Sequence, residues 1–510
     1  MDNLMTMTIL GAFTLAFLLV SYLSKRGEAQ QSSSSIEDFV IGGRNTGALV
    51  LMLSMGATYF STWTLLGSFG AYFREGVWFV GFAVWTIFHG VFVWLFGTRI
   101  WLAGKRFGFA TPGQMIEHYY CSKRLRITVA VIGIIALVPV MLIQVAGGAR
   151  ALETLTNGAI PYVVGVTLAS TLVGVIVLWT GFKGTAWTDA FMGIFFATIL
   201  VFTALYVIHL AGGLALFANV ASVQPELMVN SGKPWKMLEL WLGLGFGAWV
   251  LPHMWQKFYS AQSPEVLGKV AMATPFWNSW MMAIIPLIVG TAAVIPGIVP
   301  TLTSANSDTI LPQLYAAHLP GLGAFVVAGI LAAAISTINS QLLSSASLVT
   351  EDILVHLRNE PLEDRHLTRA TRIVVALLTI IVFVLAMLPG ASGFLVPVAS
   401  LGFGLGLQLV PSALGALHLR HITEAGAFSG LLVGTLTMAI LAILKLDIPV
   451  GPALCGFVVN VLVTSLVSCF TQAVPRKSIQ DFHGLFDEYL KGRELDQTDI
   501  AGLNTARAEK

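Results

Sequence analysis

The chain has 510 residues, of which 56% are hydrophobic and only 11% are charged, with a formal net charge of +2. Soluble domains typically carry about 25% charged residues, so this composition excludes an ordinary soluble protein. No basic tract indicates a nucleic-acid partner. Apolar runs of roughly 20 residues recur along the chain, each long enough to cross a bilayer as a helix. The sequence therefore predicts an all-α membrane protein in contact with the lipid bilayer.

The apolar runs predict thirteen transmembrane helices. In chain order they cover 5–23, 47–70, 77–103, 127–157, 160–180, 186–211, 237–259, 270–297, 322–347, 368–388, 393–417, 425–444 and 450–472. The first run follows Asp2 and has no small-residue cleavage pattern after it. We therefore interpret 1–23 as an extra spanning helix and not as a signal peptide. The polar residues 473–510 are expected to form a tail.

The basic residues predict the orientation in the membrane. Most of the 28 Lys and Arg residues, including Arg44 and Lys257, fall on one predicted side together with the tail. The opposite side carries Arg74, Lys233, Lys236 and Lys445. Since cytoplasmic loops are enriched in Lys and Arg, we expect the charged side and the C-terminus to be cytoplasmic and the N-terminus outside. The expected location is the plasma (inner) membrane, as a multi-pass protein.

Ten of the predicted helices form two sets of five, 47–211 and 237–417. Because five is odd, the second set enters the membrane inverted, and 425–472 adds two further helices after it. Each set opens with an interrupted helix: the first contains Gly56 and Gly67, and the second has a glycine-rich run before Pro252. Paired interrupted helices at matching positions indicate the central site of a transporter.

The first interrupted helix contains the polar run 56–64, which has four Ser or Thr side chains and three aromatic rings beside Gly56. Where a helix unwinds, its backbone carbonyls lose their partners and can face a cation or a solute. Ordinary packing is the alternative, since Gly, Ser and Thr are common where membrane helices touch.

The helix 322–347 carries a second polar pattern. Ala333, Ser336, Thr337 and Ser340 have the spacing i, i+3, i+4, i+7 and share one face. Their hydroxyls are hard oxygen ligands that suit a small cation such as sodium. A small-residue packing face would have the same composition, but the added polarity of Asn339 favours an ion site.

Ionisable residues inside membrane helices are costly and usually functional. Asp189 could hold a second cation or help ions to leave, or it could be an interfacial acid at a helix start. His253 could line the pathway or titrate, although a neutral hydrogen-bonded histidine is the simpler interpretation. His89 carries a weaker signal of the same kind. The three cysteines lack metal or disulfide spacing, and no catalytic or ATP-binding motif is present, so the sequence predicts no enzyme and no cofactor.

At these motifs the sequence resembles the sodium:solute symporter family, which includes sodium/proline and sodium/pantothenate permeases. The motifs that carry the resemblance are Gly42-Gly43-Arg44, Ala57-Thr58-Tyr59, Gly147 to Glu153, Trp187-Thr188-Asp189, Leu251-Pro252-His253, and Ala332 to Leu343 followed by Thr350-Glu351-Asp352. The resemblance covers nearly the whole membrane region. It implies the inverted five-plus-five fold of the LeuT type, with one helix before it and two after.

The resemblance also implies a sodium site between the first and eighth core helices. Its ligands would be the carbonyls of Ala57, Phe60 and Ala333 and the hydroxyls of Ser336 and Thr337. Some family members hold a second sodium, and the matching positions are Asp189, Ser336, Asn339 and Ser340. Asn339 replaces a serine of that two-sodium pattern.

The solute is expected beside the two interrupted helices. The candidate contacts are Tyr59, Ser61, Trp63, Thr64, Gln144 and Trp249. A sugar needs many fixed polar partners, and few are visible here. We therefore expect a small, partly apolar carboxylate held by free backbone N–H groups at a half-helix N-terminus. Proline, pantothenate and short monocarboxylates all fit.

The sequence thus predicts a sodium-coupled symporter that imports a small organic solute by alternating access. Three alternatives remain open at this point: a proton-coupled symporter, an uncoupled facilitator, and a sensor of the same fold. The tail after Pro475 is too short to house a kinase, which argues against the sensor.

Overall fold

The structure is a computed structural model that describes residues 3–26, 36–229, 232, 234–357, 363–388, 390–391, 395–445 and 449–491. Every regular element in these ranges is helical, and their one strand-like pairing is an isolated bridge between Thr46 and Ala261. The end of the predicted tail, 492–510, lies outside the described residues.

The helices follow one another along the whole described chain. The first ten are α1 (Asn3–Arg26), α2 (Ile36–Ile41), α3 (Ala48–Tyr59), α4 (63–75), α5 (83–107), α6 (Pro112–Tyr120), α7 (Lys123–Leu155), α8 (Tyr162–Trp179), α9 (Gly181–Leu210) and α10 (Leu216–Val223). The others are α11 (234–250), α12 (Pro252–Ser260), α13 (Pro264–Ala292), α14 (Ile310–His318), α15 (Pro320–Leu357), α16 (Asp364–Met387), α17 (Leu395–Leu417), α18 (Glu424–Leu444), α19 (Pro452–Phe470) and α20 (476–490).

Nine of the described helices are long and apolar enough to cross a membrane, and ten if the bent pair of α3 and the helix after it forms one span. The bend in that pair is 56°. The chain is therefore a multi-pass membrane protein, as its composition predicted. The figure of thirteen spans stays a prediction.

Both interrupted helices break next to the residues that the sequence singled out. α3 ends at Tyr59, and Phe60 leaves the helical conformation with ψ of 71°. The second break lies at Leu251, whose ψ is 142°, immediately before Pro252. A proline disfavours helical geometry in the residue before it and suits the first position of a new helix, so Pro252 ends α11 and starts α12.

The helices predicted at 160–180 and 186–211 are joined more tightly than expected. α8 and α9 run into each other through a kink at Gly181, which has φ of 60° and ψ of −154°. Only glycine adopts this conformation easily, and a Cβ at this position would lie 2.7 Å from the Phe39 ring. Residues 182–185, which the sequence analysis left outside the two helices, are therefore helical.

Glycines bring the second interrupted helix against α17. A Cβ on Gly247 would lie 2.2 Å from the Phe403 carbonyl oxygen, and one on Gly406 would lie 2.5 Å from the Gly247 carbonyl oxygen. This contact between backbones is the packing that small residues permit in membranes. It fixes the position of Trp249, two residues further along α11.

The side of the molecule that carries Arg44, Arg126 and Arg420 is called the basic side below. Here Thr111 caps α6 in a capping box with Gln114. Part of the tail also folds here, because the buried Phe482 ring of α20 stacks on Phe107 at a centroid distance of 5.3 Å. The tail is therefore a docked helix up to Leu490 and not only a polar extension.

Candidate sodium and solute site

Backbone and hydroxyl oxygens of α3 and α15 meet in the core. Ser336 Oγ donates to the carbonyl oxygens of Ala57 at 3.2 Å and Ala333 at 3.0 Å. Thr337 Oγ1 donates to those of Thr58 at 3.2 Å and Ala333 at 3.0 Å. We call these residues (Ala57, Thr58, Ala333, Ser336 and Thr337) the oxygen cluster. All of them are buried.

The sequence explains why these oxygens converge. The residues Ala332 to Ala334 have small side chains, so α3 can approach α15 closely. α3 ends within two residues of Ala57, and the last carbonyls of a helix have no partner further along it. The C-terminal end of a helix also carries partial negative charge, which favours a cation.

Four of the five residues predicted as sodium ligands are therefore in contact through their oxygens. The fifth, Phe60, lies at the break, and its ring packs on Phe196 at 5.0 Å and on Trp277 at 6.1 Å. The Thr58 carbonyl, which the sequence analysis did not include, accepts the hydroxyl of Thr337.

Asp189, a candidate for a second sodium, has a charged partner. Its Oδ2 accepts a hydrogen bond from Ser54 Oγ at 2.8 Å and lies 3.1 Å from Lys257 Nζ, which is itself 2.6 Å from Ser54 Oγ. The side chains of Asp189 and Lys257 are 0% and 1% exposed. This ion pair joins α9 and α12 through α3.

The sequence analysis counted Lys257 only as a marker of orientation and missed this pairing. A signal was available, because Lys257 lies within the predicted membrane helix 237–259, where a charged residue is usually functional. The other second-sodium candidates, Asn339 and Ser340, are buried on α15, and their side-chain polar atoms have no hydrogen-bond partner in the protein.

Beside the oxygen cluster lies a group of aromatic rings from three helices. Tyr59 is 5.8 Å from Trp85, 4.7 Å from His89 and 5.3 Å from Trp249 between ring centroids. His89 is in turn 4.2 Å from Trp85 and 5.3 Å from Trp249. We call these four residues the aromatic cluster. It joins Tyr59 at the first break to Trp249 near the second.

Several polar atoms of this region are buried without a hydrogen-bond partner in the protein. They are Tyr59 Oη, His89 Nε2, Trp249 Nε1 and, from α13, Asn278 Oδ1. The Asn278 amide nitrogen contacts the other ring nitrogen of His89, Nδ1. Because most buried polar groups in proteins are hydrogen-bonded, these unpartnered atoms are candidate contacts for a ligand.

The remaining solute candidates have structural partners. The side chain of Gln144 accepts from the Thr62 N–H at 2.9 Å and donates to the Val140 carbonyl at 3.0 Å. Thr64 Oγ1 donates to the Tyr59 carbonyl at 2.6 Å. Trp63 and Ser61 are buried at the same break. Gln144 and Thr64 therefore shape the break.

The expected free N–H groups are not found at the start of this half-helix. The N–H of Ser61 donates to the Tyr59 carbonyl at 2.9 Å, and those of Thr64 and Leu65 donate to the Ser61 carbonyl at 3.0 Å. With Thr62 bonded to Gln144, these four donors already have acceptors in the protein. Among the described residues at this first break, unpartnered donors are found on side chains such as Tyr59.

A cavity of about 440 Å³ lies on the side opposite the basic side. It is bounded by α4, α11 and α17, and its charged lining residues are Arg74, Glu75, Lys236 and Glu239. Trp78, Phe79 and Gly243 also line it, so the cavity reaches the glycine-rich start of the second break.

The helices adopt a fold of the LeuT type. The structure resembles that of a Na⁺-coupled sialic acid symporter in a substrate-bound outward-open state, with a TM-score of 0.79, 17% identity and coverage of 92% of this chain and 98% of that one. It also resembles Mhp1, a nucleobase-cation-symport-1 family transporter, with a TM-score of 0.54, 15% identity and coverage of 88% and 96%.

The sequence comparisons identify the family. The model of the sodium:solute symporter family matches residues 39–434, and the chain therefore belongs to this family. It is 25% identical over 488 residues to the sodium/pantothenate symporter of Escherichia coli (strain K12), covering 91% of this chain and 97% of the relative. It is 27% identical over 476 residues to the high-affinity proline transporter PutP of Bacillus subtilis (strain 168), covering 91% and 98%. The chain is a sodium-coupled importer of a small solute.

Proposed function

We propose that the chain imports a small organic carboxylate together with one sodium ion, and that the ion binds at the oxygen cluster. The observation that carries this proposal is the contact of the Ser336 and Thr337 hydroxyls with the carbonyls at the end of α3. Each hydroxyl also has lone pairs. When sodium enters, the hydroxyl hydrogens turn away and these lone pairs bind the ion.

The ligand set is made of the carbonyls of Ala57, Phe60 and Ala333 and the hydroxyls of Ser336 and Thr337. All five are hard, neutral oxygens, which suit a univalent cation. The ion bridges α3, in the first repeat (47–211), and α15, in the second (237–417). Coupling follows because the ion stabilises only the state in which these two helices are close. The segments 1–23, 425–472 and 473–510 lie outside this moving core.

One sodium ion per cycle is supported by the ion pair of Asp189 and Lys257. The Lys257 ammonium group already lies 3.1 Å from the carboxylate that would hold a second sodium. A second cation there would meet repulsion from Lys257 in a buried setting, where charges interact strongly. The Asn339 and Ser340 side chains are left without a carboxylate partner for an ion.

The basic side is proposed to face the cytoplasm, since membrane proteins concentrate Lys and Arg there. The 440 Å³ cavity then opens to the outside and reaches Gly243, in the second interrupted helix. Solute arriving through it would reach Tyr59 and Trp249, with Ser61 and Trp63 beside them. The relatives named for pantothenate and proline support a carboxylate as the solute.

The test is uptake into proteoliposomes of labelled proline, pantothenate, pyruvate, lactate and acetate, with and without an inward sodium gradient. Accumulation of one compound that requires the sodium gradient supports the proposal. Accumulation that follows a proton gradient without sodium would instead show a proton-coupled symporter. Equilibration without accumulation would show a facilitator.

A further inference from the structure

His89 is a fully buried histidine next to both breaks. Its side chain is 0% exposed and lies between Tyr59 and Trp249, with ring centroids 4.7 and 5.3 Å away. Asn278, from α13, contacts its Nδ1. A histidine in this position on α5 faces both breaks at once.

The Asn278 contact favours one tautomer of the His89 ring. The amide nitrogen of Asn278 donates to His89 Nδ1, which must then hold a lone pair. In the neutral ring the proton is therefore on Nε2. That Nε2–H has no acceptor in the protein and is buried.

The donors of this region outnumber its acceptors. Tyr59 O–H, His89 Nε2–H and Trp249 Nε1–H are three unpartnered donors on three helices, and the unpartnered acceptors among these residues are Asn278 Oδ1 and the Tyr59 hydroxyl oxygen. An unpaired buried donor is costly. A carboxylate accepts about four hydrogen bonds and is the small group that best satisfies such a set.

Bound sodium would add positive charge close to this group. The Ala57 carbonyl of the oxygen cluster is two residues before Tyr59 on the same helix. An ammonium group could bind to aromatic faces instead, but the four rings lie only 4.2 to 5.8 Å apart and pack on one another. A ligand would therefore contact the N–H and O–H edges of these rings and not their faces.

We propose that His89, held in one tautomer by Asn278, recognises the carboxylate of the solute, with Tyr59 and Trp249 as further donors. This inference rests on the proposed function and deepens it, because it assigns the head group of the solute to a neutral, side-chain donor site. The recognised class is a small monocarboxylate whose apolar part lies against the aromatic rings.

The experiment measures thermal unfolding of the purified full-length chain in detergent. The probes are propionate, lactate and pyruvate, their neutral counterparts propionamide and lactamide, and choline, each with sodium or with potassium. A ligand that binds only the folded protein raises its melting temperature. We expect stabilisation by at least one carboxylate in sodium, none by the amides, and none by choline.

The variants His89→Leu and His89→Gln identify the donor. We expect His89→Leu to weaken carboxylate binding about tenfold, as for loss of a hydrogen bond to a charged group. His89→Gln keeps an N–H donor and should recover part of this loss, and Asn278→Leu should weaken binding less than His89→Leu. The matched control is His418→Gln, because this histidine bonds the Leu95 carbonyl on the basic side, and it should bind as the wild type does.

The outcomes separate this inference from the proposed function. Any one of four results overturns the inference. These are stabilisation by the amides equal to that by the carboxylates, preferential stabilisation by choline, unchanged carboxylate binding in His89→Leu, and no stabilisation by any carboxylate. Sodium alone should still stabilise His89→Leu as it does the wild type. Carboxylate binding that depends on His89 but not on sodium would support this inference and contradict the sodium coupling at the oxygen cluster.

Discussion

The oxygen cluster and the aromatic cluster lie side by side at the end of α3 but are made of different groups. The first uses backbone carbonyls and two small hydroxyl side chains, Ser336 and Thr337. The second uses large rings whose polar edges are buried and unpartnered, such as Tyr59 and Trp249. A carbonyl is present whatever the residue, so an ion site of this type tolerates sequence change. A ring edge is lost with one substitution, so the aromatic cluster is where solute preference can change.

The largest expected effect concerns the charge pair that joins α9 and α12. Lys257→Met leaves Asp189 as an unpaired buried charge, which should destabilise the protein by about 3–5 kcal/mol. The measurement is thermal or denaturant unfolding of the purified protein. The double variant Asp189→Asn with Lys257→Met should recover most of this loss. If Lys257→Met is as stable as the wild type, the pair does not hold these helices together, and Asp189 becomes available for an ion.

The next effect tests the oxygen cluster. Ser336→Ala and Thr337→Ala each remove one oxygen ligand and should raise the sodium concentration for half-maximal uptake about tenfold, the size of one strong polar contact. Solute KM at saturating sodium should change much less. The control is Thr379→Ala, whose hydroxyl bonds only the Val375 carbonyl of its own helix. If the sodium dependence is unchanged in both variants, sodium does not bind at the oxygen cluster.

A smaller effect, on solute binding and not on sodium dependence, is expected at the aromatic cluster. Trp249→Phe keeps the ring and removes one N–H donor, so the solute KM should rise about fivefold, consistent with roughly 1 kcal/mol for a hydrogen bond. The sodium dependence at saturating solute should stay the same. Trp255→Phe, on the other side of the second break, is the matched control. A shift in sodium dependence with unchanged KM would contradict the division between the two clusters.

The smallest effect is expected for a substitution far from both clusters. Asp487 and Arg420 form an ion pair at 2.8 Å with side chains 48% and 55% exposed. Exposed pairs contribute about 0.2–1 kcal/mol, so Asp487→Asn should leave uptake unchanged and lower stability by less than about 1 kcal/mol. Altered sodium or solute dependence in this variant would mean that α20 acts on the sites.

The sequence predicts those features that depend on one helix or on the backbone. The spacing i, i+3, i+4 of Ala333, Ser336 and Thr337 places both hydroxyls on one face. Pro252 disfavours helical geometry in Leu251, the residue before it, and so ends the helix there. The features that it does not predict depend on two helices distant in sequence. Asp189 and Lys257 are 68 residues apart, and His89 and Asn278 are 189 residues apart. The partner of each residue is decided by the packing of whole helices, which no local pattern contains.

Ala57, which belongs to the oxygen cluster, and Tyr59, which belongs to the aromatic cluster, are two residues apart on α3. A displacement of this single helix end acts on both ligands together. Thermodynamic reciprocity then requires that sodium tighten solute binding by the same factor as solute tightens sodium binding. Transport consequently depends on the product of the sodium and solute concentrations and is slow when either ligand is scarce.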